Sequence, residues 1–321
     1  MAIEDWPLTK PFAISRSVDL SAIVVVVRLT EDGAAGRGES TPYARYGETP
    51  QGVVDAIEAF RDAIEGDAGV SAKALGLRGA AANALDCALV DLACKRRGEP
   101  AWRLLGQAEP RPLTTTATVS LDTPSRMAAD AATWPGFGLL KLKLGEGDGD
   151  LERVAAVRRA RPDARLICDA NEGWSVDQLV NYAGALADLG VEMVEQPCPE
   201  GKDEGLRGLD LPLLLCADES CHVAADVESL VGKYQLANIK LDKAGGITGA
   251  LELAQAAQER GMEIMVGCMI ATSLAIAPGI LAGQLARYVD LDGATTLRED
   301  REPPVSYRGG QVHPAPRALW G

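Results

Sequence analysis

No C-x-x-C pair occurs in this chain, and its seven cysteines (Cys87, Cys94, Cys168, Cys198, Cys216, Cys221 and Cys268) form an odd set. Several lie inside apolar runs, where cysteine behaves as a small buried hydrophobe. A disulfide framework is therefore set aside in favour of a reducing compartment. Histidine is scarcer still: His222 and His313 are the only two, so a His–Asp catalytic base has no obvious source. Positive charge also falls short. Lys and Arg number 32 against 46 Asp and Glu, a net charge of −14, which makes nucleic acid and anionic membrane surfaces poor partners. No segment approaches about 18 uninterrupted apolar residues. The opening MAIEDWPLTKPF carries acids and prolines where a secretory signal needs an apolar stretch. These absences describe a cytoplasmic protein that acts on a small molecule, with room for a homo-oligomer.

What is present is core. Apolar residues make up 47% of 321 positions, enough for two domains. In residues 1–111 a β-branched strand, SAIVVVVRL, precedes a DG turn and a second extended piece, AGRGESTP. Two helical patterns follow, QGVVDAIEAFRDAIEG and AAANALDCALVDLACKRR. Strands and then helices predict an α+β capping domain. From 112 to 294 the pattern changes to eight short apolar runs separated by helical stretches: TTTATVSL, LLKLKL, RLICDA, VEMVEQ, PLLLCADE, LANIKLD, EIMVGC and RYVDLD. Their spacing fits one βα unit each, which predicts an α/β barrel rather than an open sheet. The Pro- and Gly-rich tail, 295–321, is expected to pack back on the cap and complete it.

Three of those runs end in acids: Asp169, Glu195 and Asp218. On neighbouring parallel strands the three carboxylates converge on one rim and repel each other unless a cation holds them. Oxygen-only ligands favour a hard ion, Mg²⁺ before Mn²⁺. A lysine stands on either side of the trio, Lys143 on the second run and Lys243 after the sixth. In an eight-membered ring those positions are opposed, so the two amines would face one carbon from opposite sides. That arrangement suits removal and return of a proton next to a carboxylate, with the ion stabilising the enediolate. Lys141, two residues before Lys143, is expected to supply a second cation that eases Lys143 toward its neutral form. Taken singly, each residue has an ordinary structural explanation, such as a solvated strand edge, a helix cap or a loop cation. Their conjunction at consecutive strand ends is what points to catalysis.

The motifs KLK (141–143), DAN (169–171), EQP (195–197), DES (218–220), KLDKAGG (240–246) and GCM (267–269) resemble the enolase superfamily, and within it the muconate-lactonizing subgroup, over nearly the full length. The resemblance implies a modified TIM barrel, (β/α)7β, under an N-terminal α+β capping domain. It also implies one Mg²⁺ on Asp169, Glu195 and Asp218, with Lys143 and Lys243 as the acid/base pair. Asp290 and Asp292 alternate on the eighth run, so both carboxylates are expected to point into the mouth, where an ammonium would suit them. That D-x-D is similar to the element with which dipeptide epimerases hold a free α-amino group. The segments DWPLTKPFAISR and STPYARYGET likewise resemble the L-Ala-D/L-Glu epimerases. From that likeness Arg16 is a candidate for reading an acidic substrate side chain, and Arg45 is a second. Thr118 and Cys268 are candidates for lining the pocket. The implied activity is Mg²⁺-dependent dipeptide epimerisation, in the setting of peptidoglycan recycling. A muconate cycloisomerase or an o-succinylbenzoate synthase remains open within the superfamily, and a non-catalytic ligand-binding barrel outside it.

Overall fold

Eight parallel strands run in sequence order around one sheet: Ala117–Val119, Leu139–Lys143, Arg165–Asp169, Val191–Glu195, Leu214–Ala217, Leu236–Lys240, Glu263–Gly267 and Tyr288–Asp290. They belong to a computed structural model that describes residues 1–66 and 70–321. Strands one and eight come together where Thr116 N donates to Val289 O at 2.9 Å, nearly closing the barrel.

Period-two alternation decides what fills it. Leu139, Ile167, Met193, Cys216, Leu236, Met265 and Tyr288 form an apolar plug of their own. Two residues further along the same strands and in the same phase stand Lys141, Asp169, Glu195, Asp218, Asn238, Gly267 and Asp290. One barrel thus carries a greasy layer below and a charged layer above, at the C-terminal strand ends where barrel sites form. The main core packs outside the strands, under helices such as Asp150–Ala160, Val176–Asp188 and Ile247–Glu259. Not every connection is a full helix. Among the described residues, the 3₁₀ turn Glu204–Leu206 links strands four and five, and after strand five a 3₁₀ turn, Ala224–Asp226, runs into one helical turn, Val227–Leu230.

The cap holds three antiparallel strands, β1 (Ala2–Ile14), β2 (Ser17–Glu31) and β3 (Ala34–Ser40). The first of these went unread in the sequence because Pro7 and Pro11 interrupt it. It is an edge strand with a register shift between Pro7 and Phe12, the setting that tolerates proline. The pattern at 51–66 divides into two helices, Pro50–Glu58 and Arg61–Gly66. Helix Gly79–Arg97 is buried on nearly every side, against β3 and against the turn that follows the sixth barrel strand. Its approach to β3 requires glycine: a Cβ on Gly38 would lie 2.1 Å from Ala84 O, and one on Gly36 2.3 Å from Ala88 O. The tail serves both domains. Gln311–Val312 pairs with Leu113–Thr114 beside the barrel, while Trp320 Nε1 donates to Cys87 O in the cap at 3.0 Å.

Two buried acids fasten the cap to the barrel mouth. Glu39 accepts from Thr272 N (2.8 Å), Thr272 Oγ1 (2.5 Å) and Arg301 Nη2 (2.6 Å). Asp242 accepts from Thr41 N and Asn83 Nδ2, both at 2.9 Å. Burial, opposed by those two donors, pushes the Asp242 carboxyl up to about 7. Raised above its unfolded value, this group adds stability that is fully present below about pH 4 and lost as pH climbs to about 7. We therefore expect Asp242→Asn, which keeps an acceptor for both donors, to flatten the fall in unfolding free energy between pH 4.5 and 7.5. Urea titrations of both proteins across that range, under one metal condition, measure it. Parallel pH slopes would contradict the assignment.

Candidate active site

At the barrel mouth, under β1, β2 and the segment 41–46, lies a cavity of about 330 Å³. Its floor is the charged layer. Asp169, Glu195 and Asp218 each offer a carboxylate oxygen within 4.8 Å of the others, and all three are buried. The chain turns tightly behind them. Among the described residues four non-glycine positions have left-handed φ, and three follow these ligands: Asn171, Glu172 and Gln196. Such strain gathers at functional sites. Gln196 uses it to brace two corners together, its Oε1 accepting from Asp218 N at 2.9 Å and Ser220 N at 3.1 Å.

Cations balance the acids unevenly. Lys141 Nζ lies 3.1 Å from Asp169 Oδ2, 2.7 Å from Glu195 Oε2 and 2.7 Å from Asp290 Oδ2. Against the burial that would raise it, Asp169 is held below the usual carboxylate range by Lys143 and Lys141. Lys240, Lys243 and Lys141 likewise overcome burial at Asp218. Glu195 goes the other way, pushed up by burial and then by Asp169. Its Oε1 accepts from Asn238 Nδ2 at 2.8 Å, while Oε2, although close to Lys141, has no hydrogen-bond partner. A buried, all-oxygen trio with an unpartnered ligand atom fits a hard divalent cation.

The lysine pair differs from the sequence expectation in one member. Lys143 ends the second strand, lines the cavity, donates to Asp169 Oδ2 at 2.6 Å and lies 5.8 Å from the Phe12 ring centroid. Lys243 does not line the cavity. It sits in the short helix Leu241–Ala244, and its ammonium is spent on Asp218 O (2.5 Å), Asp218 Oδ1 (2.6 Å) and Asn238 O (3.2 Å). The amine that does line the cavity opposite Lys143 belongs to Lys240, the last residue of the sixth strand. Its Nζ donates to Asp218 Oδ2 at 2.7 Å. Gly267 on the neighbouring strand gives it room, since a Cβ there would lie 3.1 Å from Lys240 Cε and 2.8 Å from Asn238 Oδ1. Lys141 differs as well: rather than serving mainly as a cation beside Lys143, it is the counter-charge shared by Asp169, Glu195 and Asp290.

Asp290 and Asp292 both line the cavity. Only Asp290 is on the eighth strand; Asp292 caps the 3₁₀ turn Gly293–Thr296. Asp290 Oδ1 accepts from Thr116 Oγ1 at 2.6 Å, and Asp292 Oδ2 from Thr118 N at 2.6 Å. Burial and Asp290 push the Asp292 carboxyl up to about 7. Thr118 and Cys268 are part of the same wall. Arg16 lines the cavity from the β1–β2 hairpin, whereas Arg45 pairs with Glu172 at 2.5 Å away from it. His222 serves its loop, Nε2 lying 2.9 Å from Glu219 O. Trp174 is buried and donates to Asp150. Asn171, Glu219, Tyr43 and Tyr46 also line the cavity without having been singled out in the sequence. Their signal was their position directly after motif acids or in the cap loop next to Thr41.

Two family models divide the chain between them: mandelate racemase/muconate lactonizing enzyme, N-terminal domain, over residues 1–106, and enolase C-terminal domain-like, over residues 125–318. The L-Ala-D/L-Glu epimerase of Escherichia coli K12 is 44% identical over 317 residues, 97% of each chain. An N-acetyl-D-glutamate racemase of Pseudoalteromonas is 40% identical over 93% of this chain and 95% of its own. Among solved structures, an Agrobacterium tumefaciens enolase family member with homology to dipeptide epimerases, bound to sodium and L-Ala-L-Glu, superposes with a TM-score of 0.96. It is 43% identical and covers 100% of this chain and 98% of its own. The Enterococcus faecalis dipeptide epimerase complexed with Mg and L-Leu-L-Tyr gives 0.89 at 33% identity, covering 98% and 95%. With both domains matched and the acid trio at the strand ends, the chain belongs to the mandelate racemase/muconate lactonizing enzyme family of the enolase superfamily.

Proposed function

We propose that this protein is a Mg²⁺-dependent dipeptide epimerase that interconverts L-Ala-L-Glu and L-Ala-D-Glu by two-base proton transfer, with Lys143 and Lys240 as the two bases. The observation that carries this reading is the placement of those amines on strands two and six, flanking the carboxylate trio at one cavity. Asp169, Glu195 and Asp218 would hold the ion. When bound, Mg²⁺ stabilises the second negative charge that a substrate carboxylate gains as its α-carbon loses a proton.

The remaining work falls to the chain. One lysine takes the α-proton from one face of the carbon and the other returns a proton to the opposite face, inverting the centre. Proximity matters as much as basicity, and strand-end positions fix both amines against the carbon. Asp290 and Asp292, with only Lys141 as a close cation, form the acidic wall for the ammonium of the N-terminal residue. Arg16 supplies positive charge at the side-chain end. The acidic pair favours a dipeptide over an N-acylated amino acid or a muconate-type acid, because neither of those carries an ammonium. A reducing cytoplasm and the recycling of peptidoglycan peptides are the setting this substrate suggests.

Incubation of L-Ala-L-Glu with enzyme and Mg²⁺ in D₂O should replace the glutamyl α-proton with deuterium while the second diastereomer appears, as followed by NMR. Absence of exchange, with turnover of a cyclohexadiene substrate instead, would sink the reading. Lys143→Ala and Lys240→Ala should each lower epimerisation by about 10²–10⁴-fold, the usual worth of a general base, leaving at most exchange from one stereoisomer. Lys243→Met should keep two-way exchange and weaken Mg²⁺ binding, since Lys243 orients Asp218 from outside the cavity. The reverse outcome, with Lys243 essential and Lys240 dispensable, would return the role to Lys243.

Metal binding has a readout independent of turnover. At Mg²⁺ about 100 times its dissociation constant, folding should gain about 2.7 kcal/mol and the melting temperature should rise. Glu195→Gln should lose that rise. A variant that still gains it would remove Glu195 from the ligand set.

A further inference from the structure

The two acids of the D-x-D wall are held differently. Asp290 ends the eighth strand with both oxygens engaged, Oδ1 by Thr116 Oγ1 at 2.6 Å and Oδ2 by Lys141 Nζ at 2.7 Å. Asp292 stands beyond the strand at φ −92° and ψ 0°, so no sheet ladder fixes its direction. That direction depends on what holds the chain at Leu291, between the two acids.

Leu291 is gripped from three sides. Its side chain is 1% exposed and packs on the helix Ser273–Gly283, where a Cβ on Gly279 would lie 3.1 Å from Leu291 Cδ2. Its N–H, in the peptide that follows Asp290, donates to Thr115 Oγ1 at 2.9 Å. Its carbonyl, in the peptide that precedes Asp292, accepts from Tyr307 OH at 2.7 Å. Both partners are carried by one small sheet at the barrel's side. Tyr307–Arg308 pairs with Gln311–Val312, which pairs with Leu113–Thr114, and Thr115 N then donates to Gly310 O at 3.0 Å. Burial, then Cys268 and Asp292, push the ionisation of the Tyr307 hydroxyl up, so it stays a donor. Neither Tyr307 nor Thr115 lines the cavity. What they reach is the pair of peptides joining the two acids.

Without the Tyr307 hydroxyl a buried carbonyl would lose its partner and the peptide before Asp292 would be free to turn. Asp290, tied to Lys141 and Thr116, would keep its place. The effect should therefore be confined to the ammonium end of the substrate. We propose that Tyr307, in the C-terminal tail, is a positioning residue that with Thr115 aims Asp292 at the substrate's free amino group. The tail would thereby set the preference for a dipeptide over its uncharged acyl analogue. The inference rests on the epimerase reading and deepens it.

The test compares L-Ala-L-Glu with N-propionyl-L-Glu, the same molecule without its ammonium. KM for the dipeptide comes from α-proton exchange in D₂O with Mg²⁺, and Ki for the propionyl compound from competition against it. In the wild type Ki should exceed KM by at least about tenfold, because buried groups built to pair a polar ligand discriminate against one that lacks it. Tyr307→Phe should raise the dipeptide KM about tenfold, the scale of one buried hydrogen bond, with the loss falling on KM rather than kcat. Ki should stay put, so the ratio of Ki to KM collapses. A general loosening of the barrel would instead raise both constants together. Thr115→Val should act as Tyr307→Phe does, and Thr115→Ser, which keeps the hydroxyl acceptor, should restore most of the lost affinity; this pair decides if Tyr307→Phe does not fold. A melting-temperature rise with Mg²⁺ verifies that each variant is folded and loaded. An unchanged ratio in the variants, or a wild type that does not discriminate, overturns the inference while dipeptide exchange stands. No exchange on the dipeptide overturns the epimerase reading and this inference with it.

Discussion

The structure depends on concentrating like charge at one buried rim. Asp169, Glu195 and Asp290 share one lysine, Lys141, which is 1% exposed, and Asp218 completes the rim beside Lys240 and Lys243. Lys143 is spent on Asp169, and Lys240 and Lys243 on Asp218, so the deficit falls on Glu195: its carboxyl is pushed up and its Oε2 has no hydrogen-bond partner. A rim of this kind stabilises nothing by itself, because burying charge costs more than imperfect pairing returns. It persists because the surrounding fold over-determines it, and it becomes favourable when a divalent ion takes the place nearest the trio.

The scaffold that imposes this arrangement is simple. An apolar plug sets the phase of every strand, and the next inward position on each then carries the charged layer. Removing side-chain bulk at Gly267 lets Asn238 and Lys240 rise beside it. Above the rim, the cap is fixed by Asp242, just past strand six, accepting from Thr41 of the cap, and by Glu39 of β3 accepting from Thr272, beyond strand seven. The elements that close the cavity are thereby tied to the elements that carry its chemistry.

Much of this was legible in the sequence because it follows from periodicity. Eight apolar runs, three of them ending in DAN, EQP and DES, pointed to the barrel, the order of its strands and the acid trio. The second lysine at the cavity differs from the one expected through phase rather than chemistry. Leu236 and Asn238 point inward, so the next inward residue is Lys240; Lys243 is out of phase and lies in a helical turn that begins at Leu241. Reading the strand to its last lysine, instead of counting by twos from Leu236, accounts for the difference. Asp292 shows the same limit, since alternation was carried past Asp290, where the strand stops. The edge strand β1 was hidden by its prolines. Arg16 meets Asn171 and Glu219 across 155 and 203 residues of chain, and no local pattern encodes such contacts.

On the proposed reading, that long-range contact is where specificity and catalysis would meet. Arg16 comes from a cap hairpin and Tyr43 from the cap loop before the first cap helix, yet their partners Asn171 and Glu219 directly follow the metal-binding ends of strands three and five. Asn171 N also donates to Asp169 Oδ1 at 2.9 Å, so the loop that would read a substrate's side chain is hydrogen-bonded to an acid that would hold the ion. A cap that moved freely over a rigid barrel would separate these roles. Here Arg16 donates to the Asn171 carbonyl, and the Asn171 backbone N–H donates to Asp169, so the cap hairpin and the ligand acid are linked through one residue. With Arg16 at the substrate's side chain, as proposed, selection among side chains and placement of the reacting carboxylate would share one set of hydrogen bonds, and a substitution at the cap hairpin should be felt at the carboxylate trio as well.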